Sequence, residues 1–187
     1  MVLAKRKDNG KKCAIKIVLK SSIPQGKQAD AYTKKYNVAR STDCPFIVNL
    51  ISNYQTKSRL FFVMEYIPGG SLKKLISEQL QLTEDQVRFY AAEIVLALEY
   101  LHSQSVIYRN LKTENILLDK KGHVKLTDFG FSKPTTIGRA NSLIGTVHYA
   151  APEILKGETY SKAADWWSFV NSSHSYRLHR ELSSTRC

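Results

Sequence analysis

Cysteine is scarce in this chain: of 187 residues only Cys13, Cys44 and Cys187 carry a thiol. The number is odd and the spacing wide, which excludes a disulfide framework and a C-x-x-C metal pair and suits a reducing compartment. Long apolar runs are missing too. The longest, YAAEIVLALEYL from Tyr90 to Leu101, is broken by Glu93 and Glu99 and is too short to span a bilayer. No basic-then-apolar leader precedes it, so no transmembrane segment is expected and the location reads as cytoplasmic or nuclear. Acid is in short supply: 16 Asp and Glu stand against 28 Lys and Arg, a net charge of +12. The imbalance is local, since residues 1–40 hold eleven basic side chains and only Asp8 and Asp30 as acids. No aromatic-interleaved basic stripe goes with this charge, so a solvated lobe that meets a polyanionic ligand is expected rather than nucleic-acid binding.

What is present is the composition of an ordinary globular protein, 43% hydrophobic and 24% charged. Strand signals dominate the first third. KKCAIKIVLK follows Asp8-Asn9-Gly10, so residues 2–7 and 12–19 are predicted to pair as a hairpin. A polar stretch of helical length lies between Gln25 and Thr42, and FIVNLISNYQ and RLFFVMEYI read as two further strands, the second ended by Pro68-Gly69-Gly70. Beyond these glycines the apolar period changes from two to about 3.6. Thr83 with Gln86 three residues on forms a capping box, and Val87, Tyr90, Ala91, Ile94, Leu98 and Leu101 follow at helical spacing. Short strand-like pieces occur around VIY, NILLD and HVKLTDF, and the stretch NSSHSYRLHRELSSTRC lacks any apolar period and is expected to be loosely ordered.

Five short motifs stand in one order: AIK at Ala14 to Lys16, MEYIPGG at Met64 to Gly70, YRNLKTENILL from Tyr108, DFG at Asp128 to Gly130 and APE at Ala151 to Glu153. Together they resemble a eukaryotic-type protein kinase. The details YRNLK, GHVKLTDFGFSK and DWW are similar to the AGC group of Ser/Thr kinases, the cyclic-nucleotide-dependent and ribosomal-S6-kinase type. The resemblance implies an α+β, bilobal fold, with a partial small lobe over 1–67, a partial large lobe over 68–168 and a divergent tail over 169–187. It implies ATP and Mg²⁺ as cofactors, and a protein as substrate or docking partner.

By the same resemblance Lys16 holds the α- and β-phosphates as a point charge, although a lone strand lysine is more often simply solvated. Asp128 and Asn115 are the implied oxygen ligands of Mg²⁺, a hard cation. Lys112 neutralises the transferring phosphoryl group. Backbone atoms of Glu65 and Ile67 meet the adenine, Met64 lines the rear of its pocket, and Ala14 and Leu117 sandwich the ring, roles compatible with core packing. Ser71 stands where a carboxylate often meets the ribose. Phe129 packs under the site, and Ser142 is the candidate phosphosite, whose phosphate Arg109 would clamp.

Four departures from the family pattern bear on activity. Asn110 occupies the position of the aspartate that receives the acceptor hydroxyl's proton, and an amide is no base at neutral pH. Lys35 aligns with the glutamate that should pair with Lys16, and two ammonium groups about 4 Å apart at an effective dielectric of about 20 repel by roughly 4 kcal/mol. The glycine-rich loop that covers the phosphates is not seen, and the match stops inside the helix near Asp165-Trp166-Trp167, as in a truncated product. Three readings follow: a weak Ser/Thr kinase, a pseudokinase or interaction module, or a non-functional truncated product.

Overall fold

The computed structural model describes residues 1–23, 40, 42–128, 133–134 and 147–174. The N-terminal part is a four-stranded antiparallel sheet of β1 (Val2–Lys5), β2 (Lys12–Leu19), β3 (Leu50–Gln55) and β4 (Arg59–Glu65), in the order β1-β2-β4-β3. β-branched and aromatic residues favour this pleated, half-buried surface. The expected hairpin is present: Val2 to Lys5 pair with Ile15 to Lys12, and Arg6 N–H still reaches Lys11 O at 2.9 Å. Gly10 closes its turn at φ 69°, a left-handed conformation that costs glycine little, while its N–H donates to Arg6 O.

The two faces of this sheet differ. On β4, Leu60, Phe62 and Met64 are buried, whereas Phe61 and Val63 point to the other face and are only half-buried. Registered against the buried row are Val18, Lys16 and Ala14 of β2, so that the side chains of Lys16 and Ala14 share the inward face.

After the Pro-Gly-Gly turn the chain becomes helical. Helix α1 (Leu72–Gln79) is capped by Ser71, whose Oγ accepts from Lys74 N at 3.2 Å. Helix α2 (Glu84–Ser103) starts with the expected capping box at Thr83 and Gln86. Its buried stripe of Tyr90, Ile94, Ala97, Leu98 and Leu101 anchors the main core, each large side chain contributing about 1.5–3 kcal/mol by burial. Two short ladders follow, built from β5 (Val106–Ile107), β6 (Ile116–Leu118), β7 (Val124–Leu126) and β8 (Lys133–Pro134), with β5 against β8 and β6 against β7. The chain continues through α3 (Pro152–Leu155) and α4 (Ala163–His174).

The helical part is tied to the sheet by backbone. Val48 N–H donates to Leu126 O at 2.9 Å and Leu126 N–H to Phe46 O at 2.8 Å. One core runs through both, from Leu60 and Phe62 to Ile94, Leu98 and Leu126. The polar segment between Gln25 and Thr42 was expected to be helical; all of it but Arg40 and Thr42 lies outside the described residues. Helix α4 takes in Asn171 to His174, the first four residues of the stretch expected to be loosely ordered; the rest of that stretch lies outside the described residues. Phe169 packs against the main core and edge-on to Trp166, and Ser172 is fully buried, so this turn of helix has a partner that its polar composition does not announce.

Candidate active site

The segment from Tyr108 to Asn115 is held from below by one carboxylate. Asp165, fully buried on α4, accepts from the backbone N–H of Tyr108 at 2.9 Å and of Arg109 at 2.7 Å, and meets His102 Nε2 of α2 at 2.8 Å. A charged acceptor taking several donors in a dry interior makes strong, directional bonds. They hold Arg109 at φ 66°, a left-handed conformation a non-glycine residue adopts only when its surroundings impose it. The guanidinium turns toward Tyr160, with Nη1 donating to its hydroxyl at 2.8 Å.

Next in the loop, Asn110 is 4% exposed, and its Nδ2 is buried without a hydrogen-bond partner among the described residues. Its backbone carbonyl accepts from Asn115 Nδ2 at 2.8 Å. Asn115 is fixed twice more: its N–H donates to Lys112 O at 2.9 Å, and its carbonyl accepts from Thr127 N at 3.0 Å. With Nδ2 committed, the side-chain oxygen of Asn115 is the atom left to serve as a ligand.

Thr127 leads directly to Asp128, which also has a left-handed backbone, φ 62°. Its carboxylate forms an ion pair with the Lys16 ammonium, each side chain about a quarter exposed. Tyr108 Oη donates to Thr127 O immediately before it. Burial, reinforced by the charges of Asp128 and Asp165, pushes the Tyr108 hydroxyl well above its ordinary range, so it acts as a neutral donor. Two oxygen-bearing side chains, Asn115 and Asp128, flank this corner; oxygen donors of this kind fit Mg²⁺. Among the described residues no three His, Cys, Asp or Glu side chains cluster as a metal site.

Beside it, a cavity of about 240 Å³ opens between the sheet and the helical part. Ala14, Met64, Glu65, Ile67 and Leu117 line it, with Met1, Val2 and Leu3 at its edge. All five residues expected around a purine ring therefore meet at one cavity, whose walls are mainly apolar. Thr127 belongs to the same wall, and Lys16 lies two residues beyond Ala14 on the same face of β2. The Glu65 side chain has its own structural task, accepting from Asn49 N at 2.8 Å and Lys125 Nζ at 2.9 Å. Ser71 is spent on the α1 cap.

Similarity to known proteins identifies the family of the chain. The family model described as the protein kinase domain matches residues 1–171. The chain belongs to the protein kinase family. It is 41% identical over 172 residues to the RAC family serine/threonine-protein kinase homolog of Dictyostelium discoideum, covering 90% of this chain and 39% of that protein. It is 46% identical over 169 residues to the RAC serine/threonine-protein kinase of Drosophila melanogaster, covering 89% of this chain and 28% of that protein. Protein kinase C zeta type of Oryctolagus cuniculus is 43% identical over 172 residues, covering 90% of this chain and 29% of that protein. The chain thus spans well under half the length of these relatives, and its resemblance is to Ser/Thr kinases of the AGC group.

Of the kinase positions expected from sequence, Lys16 and Asp128 are in direct contact, Asn110 and Asn115 are bonded to one another, and Lys112 is joined to Asn115 by backbone. Lys35, Phe129 and Ser142 lie outside the described residues. The supporting residues Asp165, His102, Thr127 and Tyr160 were not singled out as part of the site. Asp165 was the most detectable, an acid followed by two tryptophans at the start of an apolar helix; the others touch the loop only through folding.

Proposed function

We propose that this kinase-family chain binds an adenine nucleotide with Mg²⁺ in the cavity beside Ala14, and that transfer of its γ-phosphoryl to protein Ser or Thr is weak. The observation that carries the reading is the convergence of the five adenine-lining candidates on one cavity, with the Lys16–Asp128 pair on the adjoining wall. Lys16 would exchange Asp128 for the α- and β-phosphates, and Lys112 would balance charge on the group in transfer. The metal, held by Asn115 and Asp128, would supply the remaining neutralisation of phosphate charge. Asn110 can orient an acceptor hydroxyl through its amide but cannot take its proton, which removes a contribution of roughly 10²–10⁴-fold. Phosphoryl transfer depends largely on positioning and charge, so a low rate remains compatible with these residues.

The test is a thermal shift with Mg·ATP on the whole chain and on Lys16→Met. A concentration-dependent rise in Tm for the former that shrinks in the latter is the expected result. Absence of any rise in the unaltered chain would remove the nucleotide from the proposal. A pseudokinase or interaction-module role is the second reading, favoured by the buried, unpaired amide of Asn110.

A further inference from the structure

The inward face of the N-terminal sheet builds the cleft, whereas of the outward face only Val2 reaches the edge of that cavity. Strand register sets its side chains in rows: Val2, Ile15 and Val63 lie side by side, and Ile17, Phe61 and Tyr54 form the next row. Val2 is 50% exposed, Ile17 39% and Tyr54 64%, and none of the six belongs to either core cluster or packs against one. Six apolar side chains contiguous on one sheet face form a patch of the kind that marks an interaction site.

Charge decides what would cover it. Both ends of the face are basic: Lys5, Lys7 and Lys11 flank the β1–β2 turn, and Lys20, Lys57 and Arg59 stand at the other end of β2 and β4. None of these six has an acidic partner among the described residues. The two acids nearby are already neutralised, Asp8 by Arg6 and Glu65 by Lys125. A second copy of the chain would set cations against cations. Ile15, Phe61 and Val63 are half-buried between the exposed Val2, Ile17 and Tyr54, and the basic groups at both ends call for an acidic occupant. We propose that the outward face of the β1-β2-β4-β3 sheet docks an acidic amphipathic helix of a protein partner, its apolar stripe on the Ile17–Phe61–Tyr54 row and its carboxylates at the two basic ends.

The experiment titrates the isotopically labelled 187-residue chain with a synthetic helix of about 18 residues, leucine at i, i+3, i+4 and i+7 and glutamate elsewhere. A counterpart with lysine for every glutamate is run in parallel. Amide shifts confined to Val2, Ile15, Ile17, Tyr54, Phe61 and Val63, saturating in the micromolar range, are expected for the glutamate helix alone. Ile17→Lys should weaken binding at least tenfold. The double variant Lys57→Glu, Arg59→Glu, altered at the β3–β4 turn and at the exposed first residue of β4, outside the apolar rows, should do the same. Equal binding of both helices, no binding of the glutamate helix, or shifts on another surface would overturn the proposal. So would tighter binding to phosphatidylserine vesicles than to the helix, or self-association of the chain through this face in sedimentation.

Discussion

Asp165 and Arg109 are 56 residues apart in sequence, yet the carboxylate of one sits 2.7 Å from the backbone N–H of the other. The same carboxylate binds Tyr108 N and His102, so one fully buried side chain on α4 sets the height and the strained φ of the loop above it. Asp165→Ala removes the buried acceptor that Tyr108 N, Arg109 N and His102 share. An expected loss of about 3–5 kcal/mol follows from leaving buried polar partners unpaired. Asp165→Asn keeps the shape and one acceptor and should cost less, about 1–3 kcal/mol. Urea unfolding of the two variants checks this; equal stability of Asp165→Ala and the unaltered chain would mean that the loop is held by other contacts.

A second prediction concerns the turn joining the sheet to the helices. Gly69 N–H donates to Leu118 O at 2.8 Å, and Leu118 N–H donates to Gly70 O at 2.9 Å, so the two backbones run in contact. A Cβ on Gly69 would overlap the Leu118 carbonyl oxygen and lie 2.9 Å from Asp119 O. Both neighbours are backbone, which cannot swing away. Gly69→Ala should therefore cost about 1–3 kcal/mol and shift the amide signals of β6, as overpacking does. Gly122→Ala is the contrast: φ is 90° but nothing lies within 4 Å, so the cost is backbone strain alone, about 1–2 kcal/mol with β6 undisturbed.

The parts of this molecule that were legible in sequence are those governed by local period and by turn chemistry. Thr83 and Gln86 announced the start of α2, Asn9-Gly10 the hairpin, and the alternation in RLFFVME its strand. Helix α1 was not read, although Ser71 followed by Leu72, Leu75 and Ile76 carries a cap and an i, i+3, i+4 stripe; eight residues give too short a window for the period to stand out. The stretch from Asn171 reads as polar by composition, although Ser172 is buried by tertiary packing, which no local pattern encodes. In the site, residues on one loop were legible as a motif. The support from His102 and Asp165 was not, since it is made across 63 residues.

The turn between β6 and β7 sets an acid limit to stability. Asp119 Oδ1 accepts from Lys121 N at 2.7 Å and His123 N at 2.9 Å. Burial raises its carboxyl, but these backbone donors outweigh burial and leave it below the ordinary carboxylate range. A carboxyl lowered on folding contributes stability that is present above its unfolded value of about 3.9 and is lost as pH falls through the lower folded value. Asp119→Asn keeps an acceptor while removing the proton equilibrium. Its unfolding midpoint should therefore vary less between pH 5 and pH 2 than that of the unaltered chain. Parallel acid limbs would assign the acid loss to other carboxylates.

The consequence of Asn110 can be measured directly. Restoring a carboxylate by Asn110→Asp replaces a buried, unpaired amide with a group able to accept a proton from an acceptor hydroxyl. The gain in phosphorylation of a generic Ser/Thr peptide should lie within the general-base range, roughly 10²–10⁴-fold. It should not produce ordinary kinase turnover, on the order of 1–100 s⁻¹, because Asp128 is still paired with Lys16 and each nucleotide must displace that contact. The measurement is transfer of labelled γ-phosphate by wild type, Asn110→Asp and Asn110→Asp with Lys16→Met. The double variant should fall back to the level of Lys16→Met alone. Ordinary turnover from Asn110→Asp by itself would show that the rest of the site is catalytically sound and that this one amide accounts for the loss.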